Sequence, residues 1–305
     1  MRTRGVTFPS GDATLAGSLA SPRSEEAPVP TVLLIAGSGP LDRDGNHTKM
    51  ALNLSRDLAQ NLYDAGWASL RFDKRGIGES SGDYLSAGLD DERADVEAAF
   101  DWLTGQPEVG PIVAVGHSVG ALMAAELGGR EPGPVAVVLL STTTKNGEET
   151  LRWQTEQMAD YIVPPFASRV LKLFGTSVVK QQAKAVAKIK TTTGDVARVQ
   201  MVKTNARWMR EFLAYDPVPA LEQVEVPLLA ITGSKDVQVD VADLATVADM
   251  VPGSDVVAVE NVDHLLRDEP AAVSNPRSYR KQLAKPIDPR VVDALIAWLE
   301  PFRRG

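Results

Sequence analysis

The chain has 305 residues, a net charge of −8, three histidines and no cysteine. That length supports a substantial core, either one enlarged domain or a domain carrying an insertion. The missing thiols exclude disulfides, thiolate metal sites and a cysteine nucleophile, and the acidic balance argues against nucleic-acid partners. Met1 to Phe8 lack the apolar core of a signal peptide, and no apolar run approaches the ~20 residues of a membrane span, so a cytoplasmic location is expected.

In chain order, residues 3–8 and 12–20 read as an antiparallel hairpin turning around Pro9 to Asp12, and Pro22 to Pro30 is a polar connector. A buried strand at 31–36 leads into Gly37-Ser38-Gly39-Pro40. A helix near 48–64 follows, with Met50, Leu54, Leu58 and Leu62 on one face and Gly66 after its end. Strand 67–72, a helix near 89–104, strand 111–115, a helix near 119–128 and the all-apolar strand 135–140 continue the alternation. After residue 216 come strand 227–232, a helix near 240–250, strand 255–260 and a closing helix near 289–303. Repeated βα units of this kind make a mostly parallel sheet with helices on both faces.

Between strand 111–115 and its following helix stands Gly116-His117-Ser118-Val119-Gly120. A G-x-S-x-G pattern at a strand–helix turn is a nucleophile elbow, in which the serine occupies strained backbone and the flanking positions tolerate no side chain. A serine hydroxyl needs a base to take its proton and a third group to orient that base. His117 lies beside the serine in the elbow and is expected to point away from it, and His47 lies too far upstream. His264, in the loop after strand 255–260, is the remaining candidate. Asp236 leaves strand 227–232 in the loop Gly233-Ser234-Lys235-Asp236 and is the chosen orienting acid. Asp240 and Asp243 read as cap or solvent residues of the next helix, and Asp263 adjoins His264 too closely to face it. Backbone N–H groups of Ser38 and Val119 are the expected oxyanion donors, with Gly39 as the alternative to Ser38.

These motifs resemble those of the alpha/beta-hydrolase superfamily. Within it, Gly37-Ser38-Gly39-Pro40-Leu41-Asp42-Arg43-Asp44-Gly45-Asn46 resembles the loop of bacterial serine carboxylesterases, and Asp73-Lys74-Arg75-Gly76-Ile77-Gly78-Glu79-Ser80 is similar to a stretch after the superfamily's fourth strand. The resemblance covers residues 3–145 and 217–305 and implies an eight-stranded alpha/beta-hydrolase core over 1–144 and 217–305. Residues 145–216 contain no convincing strand and read as helices broken at Pro164-Pro165 and Gly175; the resemblance implies that they form a helical cap. Trp153, Tyr161, Phe166, Phe174, Trp208, Phe212 and Tyr215 could line an acyl pocket or simply hold this segment together. The segment holds twelve Lys or Arg against seven Asp or Glu, a net of +5 that leaves −13 on the rest, so it suits docking on an acidic body.

Asp42-x-Asp44-x-Asn46 imitates the start of a calcium loop, but His47 and Asn53 stand where glycine and glutamate are needed. Asp42, Arg43 and Asp44 are instead expected to brace the oxyanion loop, Asn46 or Thr48 to cap the next helix, and Asp73 and Arg75 to form a structural ion pair or turn brace. No metal or organic cofactor is implied. The function expected is hydrolysis of a small-molecule carboxylic ester through an acyl-enzyme. Thioesterase, amidase or aminopeptidase, and acyltransferase chemistry share the same machinery, and a ligand receptor could keep it. A homo-oligomer is compatible with the chain.

Overall fold

A computed structural model of the chain describes residues 1–22, 28–162, 176–199, 201–275 and 279–303. Eight strands form one sheet: β1 (Thr3–Ser10), β2 (Ala13–Ala20), β3 (Val29–Ile35), β4 (Ala68–Phe72), β5 (Val109–His117), β6 (Ala136–Leu140), β9 (Leu228–Gly233) and β10 (Asp255–Val259). Their spatial order is β1-β2-β4-β3-β5-β6-β9-β10. The β1–β2 and β2–β4 pairings are antiparallel and all the others parallel. The central strands are apolar throughout because both faces are covered. Alternation sends Leu33, Ala114 and Leu139 into the core beneath α2 (Leu89–Thr104) and α3 (Val119–Gly128). Val32, Leu34, Val113 and Val115 enter the opposite core, under α1 (Leu54–Asp64) and α10 (Pro289–Leu299).

α1 starts at Leu54 rather than near residue 48. The preceding Asn53 has φ 55°, and its N–H donates to Asn46 Oδ1 at 2.8 Å. Neither Asn46 nor Thr48 therefore caps the helix; the Asn46 side chain ties the loop over residues 37–46 to the chain entering it. Similarly, α8 (Asp243–Met250) begins three residues later than the expected position 240.

The segment 145–216 is not purely helical. Besides α4 (Gly147–Ile162), α5 (Val178–Lys190) and α6 (Ala206–Ala214), with α7 (Val218–Glu222) following it, the segment contains an antiparallel hairpin of β7 (Val196–Val199) and β8 (Val202–Asn205). The sequence shows no clean alternation there because each strand is only four residues long and mostly exposed, with just Ala197 and Val199 of its apolar side chains half-buried against the Ile189 cluster. The expected breaks at Pro164-Pro165 and Gly175, and the aromatics Phe166 and Phe174, lie outside the described residues. Charge crosses from the segment to the body where Arg207 Nη1 meets Asp91 at 3.0 Å and Lys145 pairs with Asp243.

The elbow depends on bare backbone at two points. A Cβ on Gly116 would overlap the carbonyl of Gly120, and one on Gly120 would overlap the Ile35 and Ala36 carbonyl oxygens. Gly5, by contrast, has open space around it. Gly120→Ala should therefore cost at least ~2 kcal/mol in urea unfolding, whereas Gly5→Ala should stay within about 0.5 kcal/mol of wild type. Equal effects at the two positions would contradict the close packing of β3, β5 and α3.

Candidate active site

Ser118 is the single residue between β5 and α3, with φ 55° and ψ −121°. Such backbone is costly for a side-chain-bearing residue, by ~1–3 kcal/mol, and persists only where the surroundings enforce it. Here the Ser118 N–H donates to Leu140 O at 2.9 Å, and its own carbonyl accepts from Ala121 N–H at 2.9 Å. Both neighbours thus hold the serine at the C-terminal edge of the sheet. The first N–H groups of α3 beside it have no intrahelical acceptor and lie at the positive end of the helix dipole.

Asp236 and His264 are brought together from the ends of β9 and β10. His264 Nδ1–H donates to Asp236 Oδ2 at 2.8 Å, which leaves Nε2 as the basic nitrogen. Asp236 Oδ1 accepts the N–H groups of Gln238 at 2.7 Å and Val239 at 3.0 Å. Burial alone would push the Asp236 carboxyl up, but the His264 imidazole and these N–H groups outweigh it and hold its pKa below the ordinary value. Asp240 and Asp243 lie elsewhere. Asp240 Oδ1 accepts Ala242 N–H at 3.1 Å, whereas Asp243 is buried and accepts from Thr143 Oγ1 at 2.9 Å and Thr144 N–H at 3.2 Å. Asp243 is thus an anchor for the start of the 145–216 segment rather than a solvated helix residue.

His117, beside the serine, supports the same loop. Its Nε2–H donates to the His264 carbonyl at 2.8 Å, and the two rings lie 4.8 Å apart. Burial, and then the neighbouring His264, lower its pKa to about 3, so it stays neutral and keeps this donor. The strand alternation carries the missed signal: position 117 shares a face with Val113 and Val115, the face over which the His264 loop folds. Asp263 does not face His264. Its Oδ1 accepts the N–H groups of Leu265 at 2.9 Å and Arg267 at 3.0 Å, closing the loop on itself. Buried Arg267 reaches out to Leu52 O at 2.7 Å and thereby ties the loop to the residues before α1.

The loop over residues 37–46 is braced as its charges suggest. Arg43 Nη2 meets Asp73 Oδ2 at 2.5 Å, and the Arg43 N–H donates to Asp73 Oδ1 at 2.7 Å. Arg71 Nε pairs with Asp44 at 2.9 Å, and Asp42 Oδ1 accepts N–H groups from Asp44 and Asn46 at 3.0 and 2.8 Å. These carboxylates are committed to arginines and backbone rather than turned toward a common cation. Asp73 and Arg75 do not pair with each other: Arg75 joins Asp95 at 2.7 Å and Asp12 at 2.6 Å.

Two cavities meet at the serine. One is bordered by Ser118, Ser38, His117 and His264, and the other by Ser118, Ser38, Val119 and the stacked Trp208 and Phe212. A strand-end serine at the start of a helix and a carboxylate-oriented imidazole bordering the same cavity are groups that acyl transfer can use.

The family model for serine aminopeptidase, S33, matches residues 50–270. The chain belongs to that family. It is 23% identical over 288 residues to the esterase EstD of Thermotoga maritima, a match covering 93% of this chain and 65% of that protein. The chain thus spans less than two thirds of that relative's length. Among solved structures, esterase Est1E of Butyrivibrio proteoclasticus, determined with ferulic acid bound, superposes with a TM-score of 0.65 at 16% identity over 97% of this chain and 98% of that one. The Pyrococcus furiosus esterase Pf2001 gives 0.62 at 18% identity over 99% and 91%. The fold is that of an alpha/beta-hydrolase. Among the described residues, no helix is long and apolar enough to cross a membrane.

The buried Asp263 generates a pH test. Burial raises its pKa from 3.8 to about 6, against the opposing pull of the Arg267 and Leu265 N–H groups. The folded state therefore holds a proton that the unfolded chain has released between those values, and this group's contribution to stability falls as pH rises through that window. The unfolding free energy of wild type minus that of Asp263→Asn should decline by on the order of 1–3 kcal/mol between about pH 4 and pH 7. A flat or rising difference would contradict the raised pKa.

Proposed function

We propose that the protein is a serine carboxylesterase acting on small to medium acyl groups through an acyl-enzyme. The observation that carries this reading is the 2.8 Å Asp236–His264 hydrogen bond, beside a cavity that Ser118 and His264 both border. Ser118 Oγ attacks the ester carbonyl while His264 Nε2 accepts its proton. The oxyanion is held by the N–H groups of Ser38 and Val119, and the same proton then passes to the departing alkoxide. Water repeats the sequence on the acyl-enzyme. Asp236 keeps the imidazole in the tautomer that leaves Nε2 basic and stabilises the imidazolium that forms.

Residues 145–216 act as a cap that sets substrate range without supplying catalysis. Leu151 and Gln154 from α4, with Trp208, Met209 and Phe212 from α6, border the cavity that Ser118 also borders, which supports this role. An aminopeptidase would need a partner for the substrate's free ammonium group. Neither cavity is bordered by an Asp or Glu among the described residues, which favours a neutral ester.

Ser118→Ala should lower kcat for a short-chain aryl ester by on the order of 10⁴–10⁶. Asp236→Asn should lower it by about 10⁴ with the fold retained, and Asp240→Asn should leave it nearly unchanged. Near-normal turnover in Ser118→Ala, or greater sensitivity at Asp240 than at Asp236, would overturn the assignment.

A further inference from the structure

The two cavities differ in chemistry and in which part of the reaction centre they touch. One lies toward α1 and is walled mainly by Leu34, Leu41, Leu52, Leu54, Leu58 and Leu140, with Ser55 on α1 and the polar groups of Ser118, His264 and Gln238. The other, under the 145–216 segment, mixes Trp208, Met209 and Phe212 with Thr143, Thr150 and Gln154. Ser118 and Ser38 border both. His264 and Leu265 border only the leucine-walled cavity, whereas Val119 and Leu122 border only the mixed one.

This division assigns the two halves of an ester. When Ser118 Oγ bonds to the carbonyl carbon, the bond from that carbon to the alcohol oxygen must break. The proton taken by His264 Nε2 must reach that same oxygen, so the alcohol lies on the His264 side of the carbon. The carbonyl oxygen points to the Ser38 and Val119 N–H groups, and the acyl chain takes the remaining direction, past Val119 and beneath the cap. Resting on the esterase reading above, we infer that the leucine-walled cavity receives the alcohol half of the ester and the cavity beneath the cap receives the acyl half. The substrate class is an ester of an extended apolar alcohol, with an acyl group that can carry polar substituents toward Thr150 and Gln154. Along the leucine-rich part of this wall, each added methylene of the alcohol gives about a fourfold gain until the cavity is full.

The test uses the whole chain and two ester series, alkyl acetates from methyl to octyl and methyl esters from acetate to octanoate. In each, kcat/KM reports formation of the acyl-enzyme. In wild type, kcat/KM should rise along the acetate series by about fourfold per carbon before levelling. Leu52→Trp, which narrows only the leucine-walled cavity, should lower octyl acetate relative to methyl acetate by ~10-fold or more and leave the methyl-ester series within about twofold. Met209→Trp, on the other side, should do the reverse, and it carries the test alone if Leu52→Trp fails to fold. A Leu52→Trp variant that shifts the acyl series, or a Met209→Trp variant that shifts the alcohol series, would overturn the assignment while leaving the esterase reading intact. Absence of wild-type turnover in both series would remove the esterase reading itself and the assignment with it.

Discussion

The site depends on one constraint, the passage of the chain from β5 into α3 through a single left-handed serine. Gly116 and Gly120 make the passage possible because their bare backbones pack against each other and against the end of β3. The hydrogen bond from Ser118 N–H to the end of β6 fixes it from the other side. The strain held there is small beside the apolar burial of the two cores that flank the sheet. That disparity is why a serine can be held in this backbone at the sheet edge.

Everything else near the serine is held by short links to this turn. The His264 loop is pinned by His117 from within the elbow, by Asp263 from within the loop, and by Arg267 to the chain before α1. The loop over residues 37–46 is pinned by Arg43 on Asp73 and by Asp44 on Arg71. Each link is buried or half-buried, so water competes poorly for it, and all but the Asp263 link join segments far apart in sequence. Such an arrangement suits electrostatic catalysis, in which donors must already stand where charge will develop.

Much of this was legible in the sequence because the physics there is local. G-x-S-x-G between an apolar strand and a small-residue helix marks the turn, and strand ends followed by Asp236 and His264 leave few other candidates. The pairing of those two residues is a tertiary fact that the order of strands predicts well. What escaped were features without a local pattern. The hairpin at 196–205 has two four-residue strands with only Ala197 and Val199 packed on the Ile189 cluster, too short a pattern for alternation to betray it. The start of α1 is set by a positive-φ Asn53 and by Asn46 seven residues earlier, not by an ordinary cap. His117 looked idle because its partner is a backbone carbonyl 147 residues away.

The central claim is that Ser118 is activated by His264 and Asp236 in the folded chain. Labelling with a small fluorophosphonate, followed by intact-protein and peptide mass measurement, tests this most directly. The account predicts one adduct per native chain, located on Ser118, with labelling slowed by several orders of magnitude in His264→Ala and absent from the unfolded protein. An adduct on Ser38 or Ser141, or equal labelling of Ser118 with and without His264, would contradict it.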